Sequence, residues 1–279
     1  MSADAALHLV RMGLCRYPGT GPQVARVAGP SETKHAAGRA AEVAPTRKLL
    51  TRSPQWPIDR FACVQRVWEG ETVVCIGGGP SVTAERVAVI EAAHREGRCK
   101  VIAINNSYLI APYADLLYFA DARWWKWHTE GVRTFGLPAD EVAKRFSAFG
   151  GLKCTVFVTG MMVADPEVFM LKISPRGEGL SSQPDEIVTG SNSGYQAVNI
   201  AALSGAKRIL LLGYDMHFPG GTSHWHGGHP SKHPEAMYAK YARNFAGMLP
   251  DLQGIEVVNC SPGSAIKAFP FGDIAQCLT

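Results

Sequence analysis

The feature of this sequence that most constrains its fold is a series of short apolar runs that alternate with helical stretches after residue 71. The runs cover residues 72–76, 100–104, 116–119, 154–158, 208–212 and 256–258, and the helical stretches cover residues 82–95 and 193–203. Strands that are apolar on both faces and separated by helices are typical of a parallel sheet buried between helical layers. The sequence therefore predicts an α/β, Rossmann-like fold with a mostly parallel sheet and helices on both faces.

The first part of the chain has a different composition. Residues 1–55 are rich in Ala, Arg, Gly and Pro, contain no Phe, Ile or Trp, and carry a net charge of +5, whereas the rest of the chain is near −1. A segment with so little apolar surface cannot build a core, and it is the part of the chain that would attract nucleic-acid phosphates. We predict a flexible basic N-terminal extension over residues 1–55 and one nucleotide-binding domain over residues 56–279. Residues 124–149 and 166–184 are predicted to form a small lid insertion.

The composition indicates the cellular compartment in which the protein works. Of the 279 residues, 46% are hydrophobic and 19% are charged, which is ordinary for a globular protein. No apolar run approaches the roughly 18 residues that span a bilayer, so no membrane span is expected. The seven cysteines are scattered without a Cys-x-x-Cys pair, as is typical of reduced thiols. Together with an N-terminus that lacks a secretory signal pattern, these observations predict a cytoplasmic location.

A glycine-rich loop follows the first predicted strand. Ligands of parallel α/β sheets bind beyond the carboxyl ends of the strands, so residues at these ends are candidate site residues. Here the loop consists of Gly77, Gly78, Gly79, Pro80 and Ser81. Glycines allow a ligand to approach closely, and exposed N–H groups before a helix can bind phosphate. The loop matches neither a Gly-x-Gly-x-x-Gly motif nor a Walker loop, and a plain strand-to-helix turn is the alternative interpretation.

Small polar residues mark two further positions. Asn105 and Asn106 follow the second predicted strand, and the run TGSNSG over residues 189–194 precedes a helix. One of the polar residues of this run can cap the helix. The run holds more glycine and small polar residues than a cap needs, which favours a second phosphate- or sugar-binding helix N-terminus at Ser193 and Gly194.

Histidines are concentrated after the fifth predicted strand. Asp215 and His217 follow this strand, and His224, His226 and His229 lie in a glycine-containing stretch beyond it. A glycine-flanked loop is not apolar core, so these side chains are candidates for catalysis. Such a cluster can ligate a divalent metal, supply a neutral imidazole as general base, or form a solvated loop. The general-base interpretation is favoured.

The order of these motifs resembles the bacterial sialyltransferases of glycosyltransferase family 42. It is also similar to their wider kin, the motility accessory factors of flagellin glycosylation and the archaeal 6-hydroxymethylpterin diphosphokinases. The shared pattern is the Gly-x-Gly-Pro-Ser loop at 77–81, Asn105, Ser193 with Gly194, Gly213 with Asp215, and a late segment at 261–266 with Phe269. The resemblance spans residues 73–271. Similar sequences occur in phage genomes, so a phage-encoded protein is expected.

The resemblance implies a role for each matching position. The residues that would hold the nucleotide are Gly77, Gly79, Pro80, Ser81, Asn105, Ser193, Gly194 and Ser264, and Gly78, Asn106 and His217 complete the predicted nucleotide site. His229 would be the general base, because Gly228 and His229 reproduce the Gly-His pair of the sialyltransferases. His224 aligns with another histidine of that segment, and His226 and Asp215 are further catalytic candidates. His217 stands where the sialyltransferases have a tyrosine that supports the leaving phosphate, which leaves the donor sugar open.

The sequence therefore predicts a nucleotide-dependent transferase. The favoured function is a glycosyltransferase that moves a sugar from a nucleotide-sugar donor to a hydroxyl of a glycan, a small molecule or a modified DNA base, without a required cofactor. One alternative is a magnesium- and ATP-dependent diphosphokinase, in which Asp215 and His217 would hold the ion. Another is a non-enzymatic nucleotide-binding or phage structural protein. The oligomeric state is open, and Trp124, Trp125 and Trp127 are either lid core or a surface on which a ring stacks.

Overall fold

The computed structural model describes residues 48–52, 61–131, 137–157, 165–218, 221–227 and 234–279. Residues 1–47 of the predicted extension lie outside these ranges, and their flexibility stays a prediction. Strand β1 (Leu50–Arg52) pairs antiparallel with β2 (Ala62–Val64). Leu49 and Leu50 are buried against the core, so residues 48–52 pack against the domain.

Eight parallel strands form the centre of the domain. They are β3 (Thr72–Ile76), β4 (Lys100–Ile104), β5 (Leu116–Phe119), β6 (Leu152–Val156), β7 (Val168–Ile173), β8 (Glu186–Ile187), β9 (Arg208–Leu212) and β10 (Glu256–Asn259). Their order is β10-β9-β3-β4-β5-β6-β7-β8, and every neighbouring pair is parallel. The chain builds outward from β3 to β8 and then returns to the other side of β3 as β9. Such a reversal leaves a crevice at the carboxyl ends of the two adjoining strands.

Helices connect the strands and cover the sheet. They are α1 (Ala84–Arg95), α2 (Ala122–Lys126), α3 (Ala139–Ser147), α4 (Ser193–Leu203), α5 (Glu235–Asn244) and α6 (Ile274–Cys277), with 3-10 segments at Asn105–Leu109 and Phe245–Asp251 and a π-helical turn at Trp127–Gly131. Helix α4 has the predicted bounds, with Asn192 as its N-cap. Helix α1 begins later than the pattern from residue 82 predicts, because the Thr83 side chain caps it by accepting from the Arg86 N–H.

Each face of the sheet has its own apolar core. Val73 and Cys75 of β3 pack on one face with residues of α4, whereas Val74 and Ile76 pack on the other with residues of α1. Strands buried on both faces need apolar residues at consecutive positions, which explains the unbroken apolar runs in the sequence. The predicted α/β, Rossmann-like fold with helices on both faces is confirmed.

The prediction that residues 166–184 form part of a lid is wrong. This stretch contains β7, in which Val168, Met170 and Leu171 are completely buried. Residues 168–171 form a continuous apolar run, and Lys172, which follows it, forms a 2.7 Å ion pair with Asp185. The sequence prediction therefore missed a strand that lies inside the sheet.

The described parts of the other predicted insertion, residues 124–131 and 137–149, are largely helical. They contain most of α2, the π-helical turn and α3. Trp124 is buried and stacks on Phe119 of β5 with ring centroids 4.7 Å apart, so this tryptophan belongs to the core. Strand β6 begins two residues before the predicted run at 154–158.

Two expectations from composition concern the described part of the chain. Its six cysteines are free thiols. No helix in these ranges is both long enough and apolar enough to cross a bilayer. Burial raises the pKa of the Cys75 thiol to about 12, and a hydrogen bond with Tyr214 offsets this only in part, so Cys75 behaves as a small neutral core residue.

Candidate functional site

A cavity of about 590 Å³ lies at the carboxyl ends of β3 and β9, where the direction of the chain across the sheet reverses. Its walls come from the loops after β3, β4, β5 and β9, from the amino end of α4 and from α5. The predicted site residues that line it are Gly77, Gly78, Gly79, Asn105, Ser193, Gly194 and His224. The volume is within the range of small-molecule sites, about 300–1,000 Å³.

Backbone strain is concentrated around this cavity. Asn105, Ser191 and Met216 have φ angles of 51°, 65° and 53°, and no other non-glycine residue of the described ranges has a positive φ. All three line the cavity. The left-handed conformation costs a residue with a side chain about 1–2 kcal/mol, and such strain clusters at functional sites. The position of the strain therefore identifies this cavity as the candidate site.

The glycine loop after β3 packs tightly against the loop after β9. The Gly79 N–H donates to the Gly213 carbonyl at 2.9 Å, and a Cβ on Gly77 would stand 2.7 Å from the same oxygen. The Ser81 N–H donates to the Asp215 carboxylate. The prediction that this loop presents its N–H groups to an anion is therefore wrong at Gly79 and Ser81, because both groups are used inside the protein. The glycines are required for the close packing of the two loops.

Asp215 faces the glycine loop rather than the cavity. Its carboxylate accepts from the Ser81 hydroxyl at 2.7 Å and from the Ser81 N–H at 3.1 Å. The Ser81 hydroxyl accepts in turn from the Gly213 N–H at 3.1 Å. Asp215 and Ser81, and Pro80 beside them, are not among the residues that line the cavity. The structure places Asp215 and Ser81 where they hold the loop in position.

The amino end of α4 faces the cavity with unused backbone donors. The Asn192 side chain caps the helix by accepting from the Tyr195 N–H at 2.9 Å. Ser193 and Gly194 line the cavity, and no described residue accepts from their N–H groups. The Tyr214 hydroxyl fixes this end by donating to the Gly194 carbonyl at 3.1 Å. Because the helix dipole adds partial positive charge here, the site can bind a phosphate group.

The two asparagines after β4 have different surroundings. Asn105 lines the cavity, and its buried Oδ1 has no hydrogen-bond partner among the described residues. A buried oxygen without a partner is costly, so this atom can accept a hydrogen bond from a ligand. Asn106 is buried; its Oδ1 accepts from Trp124 Nε1 at 2.7 Å and its Nδ2 lies 2.8 Å from His226 Nε2. Asn106 therefore contacts the histidine segment.

His224 is the predicted catalytic residue that the structure places at the cavity. It lies beside Gly78, where a Cβ would stand 3.1 Å from its ring. Its Nδ1 is 2.8 Å from the Ser223 hydroxyl. The Trp225 N–H donates to the Gly78 carbonyl at 3.0 Å. This bond ties the histidine segment to the glycine loop, so His224 stands over the loop at the edge of the crevice.

The other two histidines of the segment are His226 and His229. The ring of His226 lies 5.2 Å from that of His224, centroid to centroid, and it is not among the lining residues. His229, the predicted general base, lies outside the described residues, so its role stays a prediction.

His217 and Ser264 lie away from the cavity. Nδ1 of His217 is 2.8 Å from the Asp215 main-chain carbonyl, whereas the Asp215 carboxylate points to the glycine loop. Ser264 is fully buried, and its hydroxyl donates to the Tyr214 carbonyl at 2.6 Å. Neither residue lines the cavity. Within the described ranges, no three His, Cys, Asp or Glu side chains are grouped to hold a metal ion.

Several cavity residues were not predicted as site residues. They are Arg123, Gln196, Tyr238 and Tyr241. Trp127 and Thr189, which the sequence analysis considered as a stacking ring and as part of the 189–194 run, also line the cavity. Asp121 also lines the cavity, as its position at the end of β5 predicts, and it pairs with Arg123 at 3.0 Å. Burial alone would raise the pKa of Asp121, but hydrogen bonds from Arg123 lower it below its usual value. Tyr238 and Tyr241 lie three positions apart on α5, and this helical spacing is their one signal in the sequence.

No protein-family model matches the chain, and no curated protein matches it. Among solved structures it is similar to a MAf glycosyltransferase from Magnetospirillum magneticum AMB-1, with 15% sequence identity and a TM-score of 0.49 over 81% of this chain and 37% of that chain. It is also similar to the sialyltransferase CstII from Campylobacter jejuni in complex with a substrate analogue, cytidine-5'-monophosphate. That likeness has 11% identity and a TM-score of 0.42 over 74% of this chain and 87% of that chain.

These neighbours are of the kinds that the motif order resembles. The resemblance that the motifs indicate stays a prediction. A phage origin has no support from either neighbour. The chain spans about 37% of the length of the MAf glycosyltransferase. Because both TM-scores are below 0.5, the function proposed for this chain rests on the residues of its own cavity.

Proposed function

We propose that the protein is a glycosyltransferase that moves a sugar from a nucleotide-sugar donor to a hydroxyl acceptor. The observation that carries this proposal is that the unused N–H groups at the amino end of α4 and the imidazole of His224 line one cavity at the strand-order reversal. The N–H groups can donate hydrogen bonds to a phosphate, and the imidazole can accept a proton. Transfer from a nucleotide sugar needs both, one for the leaving phosphate and one for the attacking hydroxyl.

In this proposal the donor phosphate binds at Ser193 and Gly194. When the sugar–phosphate bond breaks, negative charge grows on the phosphate oxygen that leaves. Fixed N–H donors and the helix dipole stabilise this charge without reorganisation. Asn105 Oδ1, on the cavity wall, accepts a hydrogen bond from a hydroxyl or amine of the donor.

His224 is the proposed general base. In the tautomer whose Nδ1–H donates to Ser223 Oγ, Nε2 has the lone pair that accepts the proton of the acceptor hydroxyl. The acceptor oxygen forms its bond to the anomeric carbon as the sugar–phosphate bond breaks. The electron pair of that bond goes to the phosphate of the departing nucleotide, and the proton passes from His224 to water.

The aromatic side of the cavity supports binding of a planar or sugar ring. Trp127, Tyr238 and Tyr241 line this side. Aromatic rings stack on nucleobases and on the apolar faces of sugars, and stacking on a base is worth about 1–3 kcal/mol. This surface and the amino end of α4 together match the two parts of a nucleotide.

Nucleotide binding is tested by thermal unfolding with CMP, UMP, UDP, GDP, ADP or ATP, each with and without magnesium. A ligand at about one hundred times its Kd should stabilise the protein by about 2.7 kcal/mol. Stabilisation without metal by the nucleotide of a sugar donor supports the proposal and identifies the donor class. Stabilisation by ATP with magnesium alone would support a diphosphokinase instead, and no stabilisation by any of the six would refute the nucleotide site.

The role of His224 is tested by nucleotide release from a donor sugar of the class so identified. His224→Gln should lower the release rate by about one hundred-fold or more while nucleotide binding remains. His94→Gln is the matched control, because His94 lies on α1 and contacts Asp115. Full activity of His224→Gln combined with loss in His229→Gln would assign the base to His229.

A further inference from the structure

Asn106 lies between a tryptophan and a histidine in a way that determines where the histidine carries its proton. The Trp124 Nε1–H can only donate, so the Asn106 atom 2.7 Å from it is Oδ1. The amide NH₂ of Asn106 therefore points to His226 Nε2, 2.8 Å away. Because an amide N–H donates, Nε2 must hold a lone pair. The proton of the neutral ring is then on Nδ1, which lies 3.2 Å from the Gly227 carbonyl.

The surroundings of this relay keep the asparagine amide in one orientation. Asn106 is 4% exposed and Trp124 is equally buried, so water cannot replace either partner without cost. If the amide turned over, the Trp124 N–H would face an NH₂ group and lose its acceptor. The buried N–H of Trp124 therefore fixes the orientation of the Asn106 amide. The amide in turn fixes the tautomer of His226.

Among the described residues, two histidines lie near His226. His224, in the same segment, has its ring centroid 5.2 Å away. His128, in the π-helical turn, has a pKa that burial lowers and that the charge of His226 lowers further. A ring nitrogen that accepts from Asn106 carries no proton, so the His226 ring in this arrangement is neutral.

We propose that Asn106 is a positioning residue that holds His226 as the neutral Nδ1–H tautomer and so fixes the segment 221–227, with His224 over the cavity. The segment has two neighbouring attachments, the His226–Asn106 bond and the bond from the Trp225 N–H to the Gly78 carbonyl. His224 directly precedes them. The consequence for catalysis rests on the proposed function, whereas the tautomer does not.

The tautomer is measured by NMR on the full chain with ¹⁵N-labelled histidine rings, the His226 signals being those missing in His226→Gln. We expect the wild-type protein to show the Nδ1–H form at neutral pH. Asn106→Asp should move the proton to Nε2 or protonate both nitrogens, because a carboxylate accepts from Trp124 and from His226. Trp124→Phe, which frees the amide to turn over, should give a mixture. Asn244→Asp, a control whose side chain bonds to Gly190, should leave the His226 signals unchanged.

A wild-type His226 with its proton on Nε2 would overturn the proposal without any variant. An Asn106→Asp spectrum identical to the wild-type spectrum would also overturn it. In nucleotide release, Asn106→Asp should lower kcat by about ten-fold or more through misplacement of His224, with the acid limb of its pH profile moved to higher pH. A normal kcat and profile would overturn the positioning role. If the wild-type protein releases nucleotide from no donor, the proposed function fails while the NMR result still decides the tautomer.

Discussion

Ser81 and Asp215 are joined by a buried hydrogen bond of 2.7 Å between hydroxyl and carboxylate, although 134 positions separate them in the chain. The same carboxylate accepts from the Ser81 N–H. Two strand-end loops are thereby held together behind the cavity. An acidic residue in a Gly-x-Asp motif suggests contact with a ligand or metal, but here the acid organises the backbone that shapes the cavity.

Asp215→Ala should destabilise the protein by about 3 kcal/mol, because it leaves the hydroxyl and the N–H of Ser81 buried without an acceptor. Asp215→Asn, which keeps the shape and one acceptor oxygen, should cost less. Urea unfolding of the two variants and the wild-type protein measures both differences. An Asp215→Ala variant as stable as the wild-type protein would show that the two loops do not depend on this carboxylate.

Gly79 should not tolerate a side chain. A Cβ there would overlap the Asp215 carboxylate and stand 2.7 Å from the Gly213 carbonyl oxygen. Gly79→Ala should therefore cost about 3 kcal/mol or more, as strained overpacking does in its severe cases. Gly150→Ala is the matched control, since a Cβ at Gly150 meets nothing within 4 Å. Thermal unfolding of both variants is the measurement, and equal Tm values would contradict the close approach of the loops.

The phosphate site at α4 can be tested by removing a single N–H. Ser193 is the first residue of the helix, where proline is tolerated, and the preceding Asn192 has the extended φ and ψ of −153° and 152° that a following proline requires. Ser193→Pro should leave the stability unchanged and weaken binding of the stabilising nucleotide about ten-fold, by loss of one charge-assisted hydrogen bond. Ser193→Ala, which keeps the N–H, is the control. Unchanged affinity in Ser193→Pro would place the phosphate elsewhere.

Acid should destabilise the protein through His128. Burial lowers the pKa of His128 from 6.5 to about 4, so below about pH 6.5 the unfolded chain binds a proton that the folded protein does not. The stabilisation is complete above the unfolded pKa and is lost as the pH falls toward the folded pKa. Between about pH 7 and about pH 5 the loss should be about 2 kcal/mol. Urea unfolding at a series of pH values measures it.

The matching variant for this pH dependence is His128→Phe. Phenylalanine keeps a ring against Trp124, on which His128 stacks at 3.7 Å, and has no proton to gain. The stability of the variant at neutral pH reports the hydrogen bond from His128 to the Trp124 carbonyl. Its slope between neutral and acid pH should be shallower than that of the wild-type protein. Equal slopes would assign the acid sensitivity to carboxylates, which both proteins share.

Helix α4 and strand β3 show how much of this fold could be predicted. Both have the predicted bounds, because local features determine them: a capping asparagine begins the helix, and five consecutive apolar or β-branched residues form the strand. Strand β7 was missed although residues 168–171 form an apolar run as long as that of β5, because the whole stretch 166–184 was assigned to an insertion. Local pattern predicts an element well when the element carries its own signal.

The candidate site, like the fold, could be predicted from the sequence only in part. The carboxyl ends of the strands could be identified from sequence, so the loops that line the cavity were predicted. Whether a polar group in such a loop faces the cavity depends on its tertiary neighbours. The Ser264 hydroxyl donates to the Tyr214 carbonyl and the Asp215 carboxylate accepts from Ser81, both inside the protein, whereas no described residue accepts from the Ser193 N–H. No spacing in the sequence distinguishes these cases.

The strand order also affects how the protein is made on the ribosome. Strand β3 is synthesised early, yet one of its edges is covered only by β9, whose residues follow more than one hundred positions later. Until then the nascent chain has six of the eight strands, an open edge on β3 with unpaired N–H and carbonyl groups, and a glycine loop without its partner. Open edges invite pairing with other chains. The same connection that creates the cavity therefore leaves the unfinished chain with an exposed strand edge until β9 has been made.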